Sequence, residues 1–224
     1  MQTKNDLLNA KLNNEQNCLQ SFKKEFSPAI FYATIPSEIN DFTVFSKLRQ
    51  NEIDKCTDIK TKAQKYCVWK LLEIAVNKHI GIDFNKIQFK KNQNGKWECD
   101  EFCFSLTHSN SLVAVAISPY FIGVDAQILK AVNPDLQNKI LTESEQKFYS
   151  MLSLEEKQSF LLTSWCKKES ILKLSGEKML SPNKRETKGV EFFEKYIDVK
   201  EQKYFICACG KGVDKNLSIT QIKL

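Results

Sequence analysis

Three short stretches of this chain carry residue types that could handle a phosphate or a hard metal ion. The first is Ile122-Gly123-Val124-Asp125-Ala126-Gln127. It sets a carboxylate at the end of an apolar strand, and a carboxylate is a hard oxygen ligand suited to Mg²⁺. Gly123 lets another backbone approach closely. Taken alone, an aspartate after a strand is more often a turn or a helix cap. The second is Trp165-Cys166-Lys167-Lys168-Glu169-Ser170-Ile171-Leu172-Lys173. Trp165, Glu169 and Lys173 are four residues apart and share one helix face. A solvated Glu–Lys pair at that spacing contributes only about 0.2–0.5 kcal/mol. A tryptophan on the same face argues that the pair is partly buried, as a metal-and-phosphate site requires. The third is Thr107-His108-Ser109, between two strand-like runs. A hydroxyl and an imidazole there can hold a phosphate oxygen, although a hydrogen-bonded turn histidine has the same signature.

The elements that must position these residues follow from periodicity. Ala29–Thr34 reads as a strand between Pro28 and Pro36. Residues 57–79 carry Ala63, Tyr66, Cys67, Leu71, Ile74 and Ala75 at three- and four-residue spacing, which predicts a helix with one buried face. Its first turns hold Lys60, Lys62 and Lys65, and Gly81 stops it. Ile87–Phe89 is expected to be a strand and Asn94-Gly95 a turn. Phe102–Thr107 and Leu112–Ile117 are strands, and another starts at Phe121–Asp125. Leu141–Ser150 has a helical pattern. Ser153-Leu154-Glu155-Glu156 is a capping box that opens a helix running to about Leu174, ended by Ser175-Gly176. Later strands are expected at Val190–Phe193, Tyr196–Val199, Tyr204–Ala208 and Leu217–Ile222. Strand runs around a few helices predict an α+β fold rather than a doubly wound sheet. A break near Pro119 divides the chain into residues 28–118 and 119–224, behind a polar extension over 1–27 with a weak leucine stripe.

Composition narrows the function classes. With 224 residues, 42% of them hydrophobic and 27% charged, the chain is globular. No apolar run reaches the roughly 20 residues needed to span a bilayer. The first residues lack a signal peptide's apolar core, so a cytoplasmic protein with no membrane partner is expected. The net charge of +6 suits a phosphate-bearing or acidic partner. A nucleic-acid-binding module would interleave aromatics with basic residues on one face; the fifteen Phe fall instead in strand-like runs, which argues for no nucleic acid partner. Eight Cys without a CxxC pair, and only two His, argue against zinc and for buried thiols.

Taken together, the three stretches resemble the signature of the 4'-phosphopantetheinyl transferases, closest to the surfactin-synthetase-activating type. Gly123 with Asp125, and Trp165-x-x-Lys168-Glu169-Ser170-x-x-Lys173 some forty residues on, carry the resemblance. Thr107-His108-Ser109 matches the family's Ser-His-Ser segment, and Gly95-Lys96-Trp97 stands where the family has Gly-Lys-Pro. Ala63-Gln64-Lys65 lies on a family helix with basic residues, and Gly176 with Ser181-Pro182 resembles the following loop. The resemblance spans about residues 29 to 185. It implies two similar α+β halves related by a pseudo-twofold axis, with an active cleft between them, in a monomer. It implies transfer of phosphopantetheine from coenzyme A to a serine of an apo acyl or peptidyl carrier protein, with adenosine 3',5'-bisphosphate as the other product. Mg²⁺, or Mn²⁺ in its place, would be held by Asp125 and Glu169, with Gln127 as a third ligand. Glu169 would be the base, and Lys173 and His108 would stabilise charge. Lys96, Thr107, His108, Lys173, Lys62 and Lys65 would bind coenzyme A. Trp165 is expected in the core at the boundary of the halves. Lys168, about 100° around the helix from Glu169, is expected to point elsewhere, toward phosphate from the side or toward solvent.

One departure stands out. The family has Asp-x-Glu where this chain has Asp125-Ala126-Gln127. Gln127 offers a neutral carbonyl oxygen, so one negative charge is missing from the metal site. That keeps open a degenerate member that binds coenzyme A without turnover. A different Mg²⁺-dependent phosphotransferase or nuclease would want more carboxylates in the cleft.

Overall fold

The computed structural model describes residues 25–130, 133, 135–177 and 184–224. The expected leucine stripe before residue 25 and the Ser181-Pro182 loop lie outside the described residues. The architecture is mixed helix and sheet, in four layers: helix, sheet, sheet, helix.

The first sheet has the order β4-β5-β1-β9, built from β1 (Ala29–Thr34), β4 (Cys103–Ser109), β5 (Leu112–Ser118) and β9 (Ser218–Gln221). β5 runs antiparallel to both neighbours, and β9 joins β1 in parallel. Every residue of β5 is buried, because it is covered on both faces. Val113, Val115 and Ile117 face the helical side, in a core with Val68, Leu71, Leu72 and Ala75. Leu112, Ala114 and Ala116 face the second sheet. That sheet has the order β6-β8-β7, all antiparallel, from β6 (Ile122–Ile128), β7 (Phe192–Val199) and β8 (Gln202–Gly210). Its Val124, Ala126, Ile206 and Ala208 complete the intersheet core. A small hairpin, β2 (Lys90–Lys91) and β3 (Trp97–Glu98), turns at Gly95 with φ +87°.

Two helices precede the hairpin: α1 (Lys47–Asp54) and α2 (Ile59–Ala75). Asp58 caps α2 by accepting from the Thr61 N–H, and a π-helical turn carries it on to Gly81 in the left-handed region. After β6 come α3 (Leu136–Ile140), α4 (Glu143–Ser150) and the long α5 (Leu154–Ser175), which ends at Gly176 with φ +67°. Both α4 and α5 start with complete capping boxes, Thr142 with Glu145 and Ser153 with Glu156.

Several local expectations need correction. The strand placed at Ile87–Phe89 is absent; those side chains pack on the helical core, and pairing starts at Lys90. The strands expected at Val190–Phe193 and Tyr196–Val199 are one strand, β7. The helix expected over Leu141–Ser150 starts only at Glu143, after the Thr142 cap, and the separate short helix α3 precedes it. Helix α1 had no apolar stripe to reveal it. Of the cysteines, Cys67, Cys99, Cys166, Cys207 and Cys209 are buried free thiols and Cys56 is half-buried, but Cys103 is in a disulfide. Burial pushes Cys67 up to about 11, and Cys99 and Cys209 to about 12, so these thiols are inert. No helix among the described residues is long and apolar enough to cross a membrane.

Candidate active site

Gly123 sets the site's geometry. A Cβ there would lie 1.9 Å from the Ser170 carbonyl oxygen and 2.6 Å from the Leu174 backbone nitrogen. Helix α5 therefore rests directly on β6. The side chains of Asp125 and Gln127 lie on the α5 face of β6, where Asp125 meets Lys173 at short range.

Asp125 is 3% exposed. Its Oδ1 accepts from Lys173 Nζ at 2.6 Å and from Thr107 Oγ1 at 3.0 Å, and its Oδ2 accepts from Gln127 Nε2 at 2.8 Å. Gln127 thus turns its amide N–H toward the aspartate. Glu169 is buried at 5% exposure and, one helical turn before Lys173, lines a cleft of about 260 Å³. Trp97, Phe104 and Leu106 form the cleft's apolar wall, and Lys96 and Lys173 its basic flanks. The β2–β3 hairpin is tied to the end of α5. Asn94 Nδ2 donates to the Gly176 carbonyl at 2.9 Å, and Lys96 Nζ to that of Leu174 at 3.3 Å, where a cation suits the helix C-terminus.

His108 is exposed on the face of β4 opposite Thr107. Partial desolvation, and then the cations Lys173, Arg49 and Lys65, push its imidazole below the ordinary value against the opposing pull of Asp125. The neutral ring is favoured until an anion arrives.

The remaining expected residues lie as follows. Thr107 is 3% exposed and its hydroxyl is turned to β6, away from the cleft. The Lys62 ammonium sits 5.1 Å from the Phe42 ring centre, and Lys65 offers its backbone carbonyl to Arg49. Trp165 packs against Ile140, Leu141, Tyr149 and Leu161, and not at a boundary between halves. Lys168 meets neither phosphate nor solvent: it is fully buried and donates to the Ile140 carbonyl at 2.6 Å and to Glu145 at 2.5 Å.

One residue had escaped the reading of the sequence. Arg49, one of two arginines in the chain, is buried with its guanidinium 5.3 Å from Trp69 and 5.9 Å from Trp97. It pairs with Glu52 at 2.9 Å and donates to the Lys65 carbonyl at 2.6 Å. It thereby buttresses the Trp97 wall of the cleft from behind. The available signal was a lone arginine among lysines, with Ser46 positioned to cap its helix.

Residues 121–216 match the family model of the 4'-phosphopantetheinyl transferase superfamily, a span that takes in Asp125, Gln127, Glu169 and Lys173. The chain is also 24% identical over 217 residues to the 4'-phosphopantetheinyl transferase gsp of Aneurinibacillus migulanus, covering 87% of this chain and 91% of that protein. On these two matches the chain is similar to the 4'-phosphopantetheinyl transferases, and the family match falls on the segment that carries the candidate site. A second relative, the 4'-phosphopantetheinyl transferase psf-1 of Bacillus pumilus, is 22% identical over 110 residues, 48% of this chain and 47% of that protein. These likenesses support a transferase enzyme, and Glu169, Lys173 and Lys96 converge on the cleft at the end of α5, with Asp125 of β6 paired to Lys173.

Proposed function

We propose that this transferase moves 4'-phosphopantetheine from coenzyme A to a serine of an apo carrier protein and releases adenosine 3',5'-bisphosphate. The observation that carries the proposal is the buried Asp125 on β6, paired with Lys173, which lines the cleft together with Glu169 of the same helix face. Among the described residues no group of three His, Cys, Asp or Glu gathers to bind a metal. Two hard carboxylates and the Gln127 amide nevertheless suit Mg²⁺ or Mn²⁺, since Mg²⁺ keeps several waters and needs few protein ligands. Bound there, the ion would neutralise the pyrophosphate and polarise the phosphorus under attack.

The chain's own residues have separate tasks. Glu169 accepts the serine proton, directly or through a water, as the serine Oγ–P bond forms and the pyrophosphate P–O bond breaks. Lys173, its side chain 28% exposed, is free to lean from Asp125 toward the phosphate that leaves. His108, neutral before substrate binds, takes up a proton against the incoming phosphates. Lys96 and Lys65 face the same anion. The +6 chain attracts carrier proteins, which are generally acidic, and acts as a monomer in the cytoplasm. The experiment is intact-mass measurement of an apo carrier protein incubated with the enzyme, coenzyme A and Mg²⁺. A gain of one phosphopantetheine that EDTA abolishes supports the proposal. No gain on acyl or peptidyl carriers, with coenzyme A still bound, supports a binding protein without turnover, the reading that Gln127 favours.

A further inference from the structure

The outer edge of β6 is sealed in an unusual way. β6 is the edge strand of the second sheet, so alternate backbone N–H groups point away from β8. Buried N–H groups need acceptors. Here they come from β4 of the first sheet, through side chains and not backbone. The Val124 N–H donates to Ser105 Oγ at 3.1 Å, Ala126 to Thr107 Oγ1 at 3.3 Å, and Ile128 to Ser109 Oγ at 2.9 Å. Three hydroxyls at two-residue spacing thus join the sheets.

Thr107 is the one hydroxyl of the three that also hydrogen-bonds a side chain of the candidate site. It accepts from the Ala126 N–H, so its proton is directed at Asp125 Oδ1, 3.0 Å away. Lys173, on the same oxygen, is partly exposed and reaches the cleft; Thr107 is not exposed and has no comparable freedom. We propose that Thr107 is a positioning residue for the metal-ligating carboxylate. It fixes the rotamer of Asp125 from across the intersheet seam, and it does not touch coenzyme A. This rests on the proposed role of Asp125, and it replaces the substrate contact that the family resemblance implied for Thr107.

The test compares Thr107→Val, Thr107→Ser and Ser109→Ala in the full-length enzyme, with Mn²⁺ affinity read by electron paramagnetic resonance beside kcat and the KM for coenzyme A. Loss of an outer-shell partner lowers metal affinity or activity about 10- to 100-fold. Thr107→Val is expected to lose that much in Mn²⁺ affinity and in kcat with KM for coenzyme A unchanged. Thr107→Ser, which keeps the hydroxyl, is expected to restore both. Ser109→Ala, which breaks the same kind of seam bond without touching Asp125, is expected to lower Tm alone. A raised KM with Mn²⁺ affinity intact in Thr107→Val would overturn the proposal in favour of a substrate contact. So would a Ser109→Ala enzyme that loses Mn²⁺ as severely, or a Thr107→Ser enzyme that binds Mn²⁺ poorly; the last holds even if the valine variant does not fold. Failure of the site reading itself would show instead as a wild type that binds no Mn²⁺.

Discussion

At the residue scale, the candidate site turns on how one buried carboxylate is occupied. Asp125 is surrounded by three donors, and Gln127 is one of them. Gln127→Glu would replace a donor with a second carboxylate beside the first. Without metal the two repel, so Tm should fall; with Mg²⁺ the added ligand should restore it and Mn²⁺ should bind more tightly. Thermal melts with and without Mg²⁺ check this, and an unchanged response to Mg²⁺ would place Gln127 outside the metal site. His108 gives a pH signature. Its pKa is lowered in the folded protein, so the unfolded chain binds the proton more strongly and the fold loses stability as pH falls through the imidazole range. Phosphates reverse the bias: coenzyme A should bind with proton uptake and more tightly as pH falls below neutrality. His108→Gln should flatten that slope in calorimetric titrations. That Glu169 and Lys173 share one helix face was legible from spacing, whereas Asp125 joined them only through the family resemblance. The contacts of Thr107 and Arg49 were not legible, because their partners sit in other elements, 18 and 16 residues away, and no periodicity encodes such a contact.

At the element scale, the contact of α5 with β6 decides whether the site exists. Gly123→Ala forces a methyl into the backbone of α5. Overpacking of this severity costs about 3 kcal/mol or more, a fall in Tm of roughly 6–12 °C for a chain of this size, and transferase activity should go with it. Lys168 fastens α4 to α5. Lys168→Met leaves Glu145, a member of the α4 capping box, without its buried partner. Breaking such a pair costs about 3–5 kcal/mol, visible in urea unfolding, and the start of α4 should lose amide protection first. Helix α5 was legible to within a residue because its capping box and Gly176 mark both ends. Its Lys168 was misjudged because helical angle shows only that a residue leaves one face; what waits on the other face, here Glu145 and the Ile140 carbonyl, depends on how α3 and α4 fold back.

At the scale of the whole molecule, two stacked sheets carry the cleft at one end, with α2 outside the first and α5 outside the second. The alternation within β5 was legible as a buried strand but not as the layer shared by two cores. The C-terminal strand β9 crosses back to pair with β1, a long-range contact that local sequence does not announce. The central claim is that this assembly transfers phosphopantetheine with Glu169 as base. The most direct measurement sets wild type beside Glu169→Gln, matched for coenzyme A binding by calorimetry, and follows carrier mass and adenosine 3',5'-bisphosphate release together. The account predicts one phosphopantetheine per carrier and equimolar release for wild type, with a loss of about 10²-fold or more in the variant. Near-normal transfer by Glu169→Gln would contradict it.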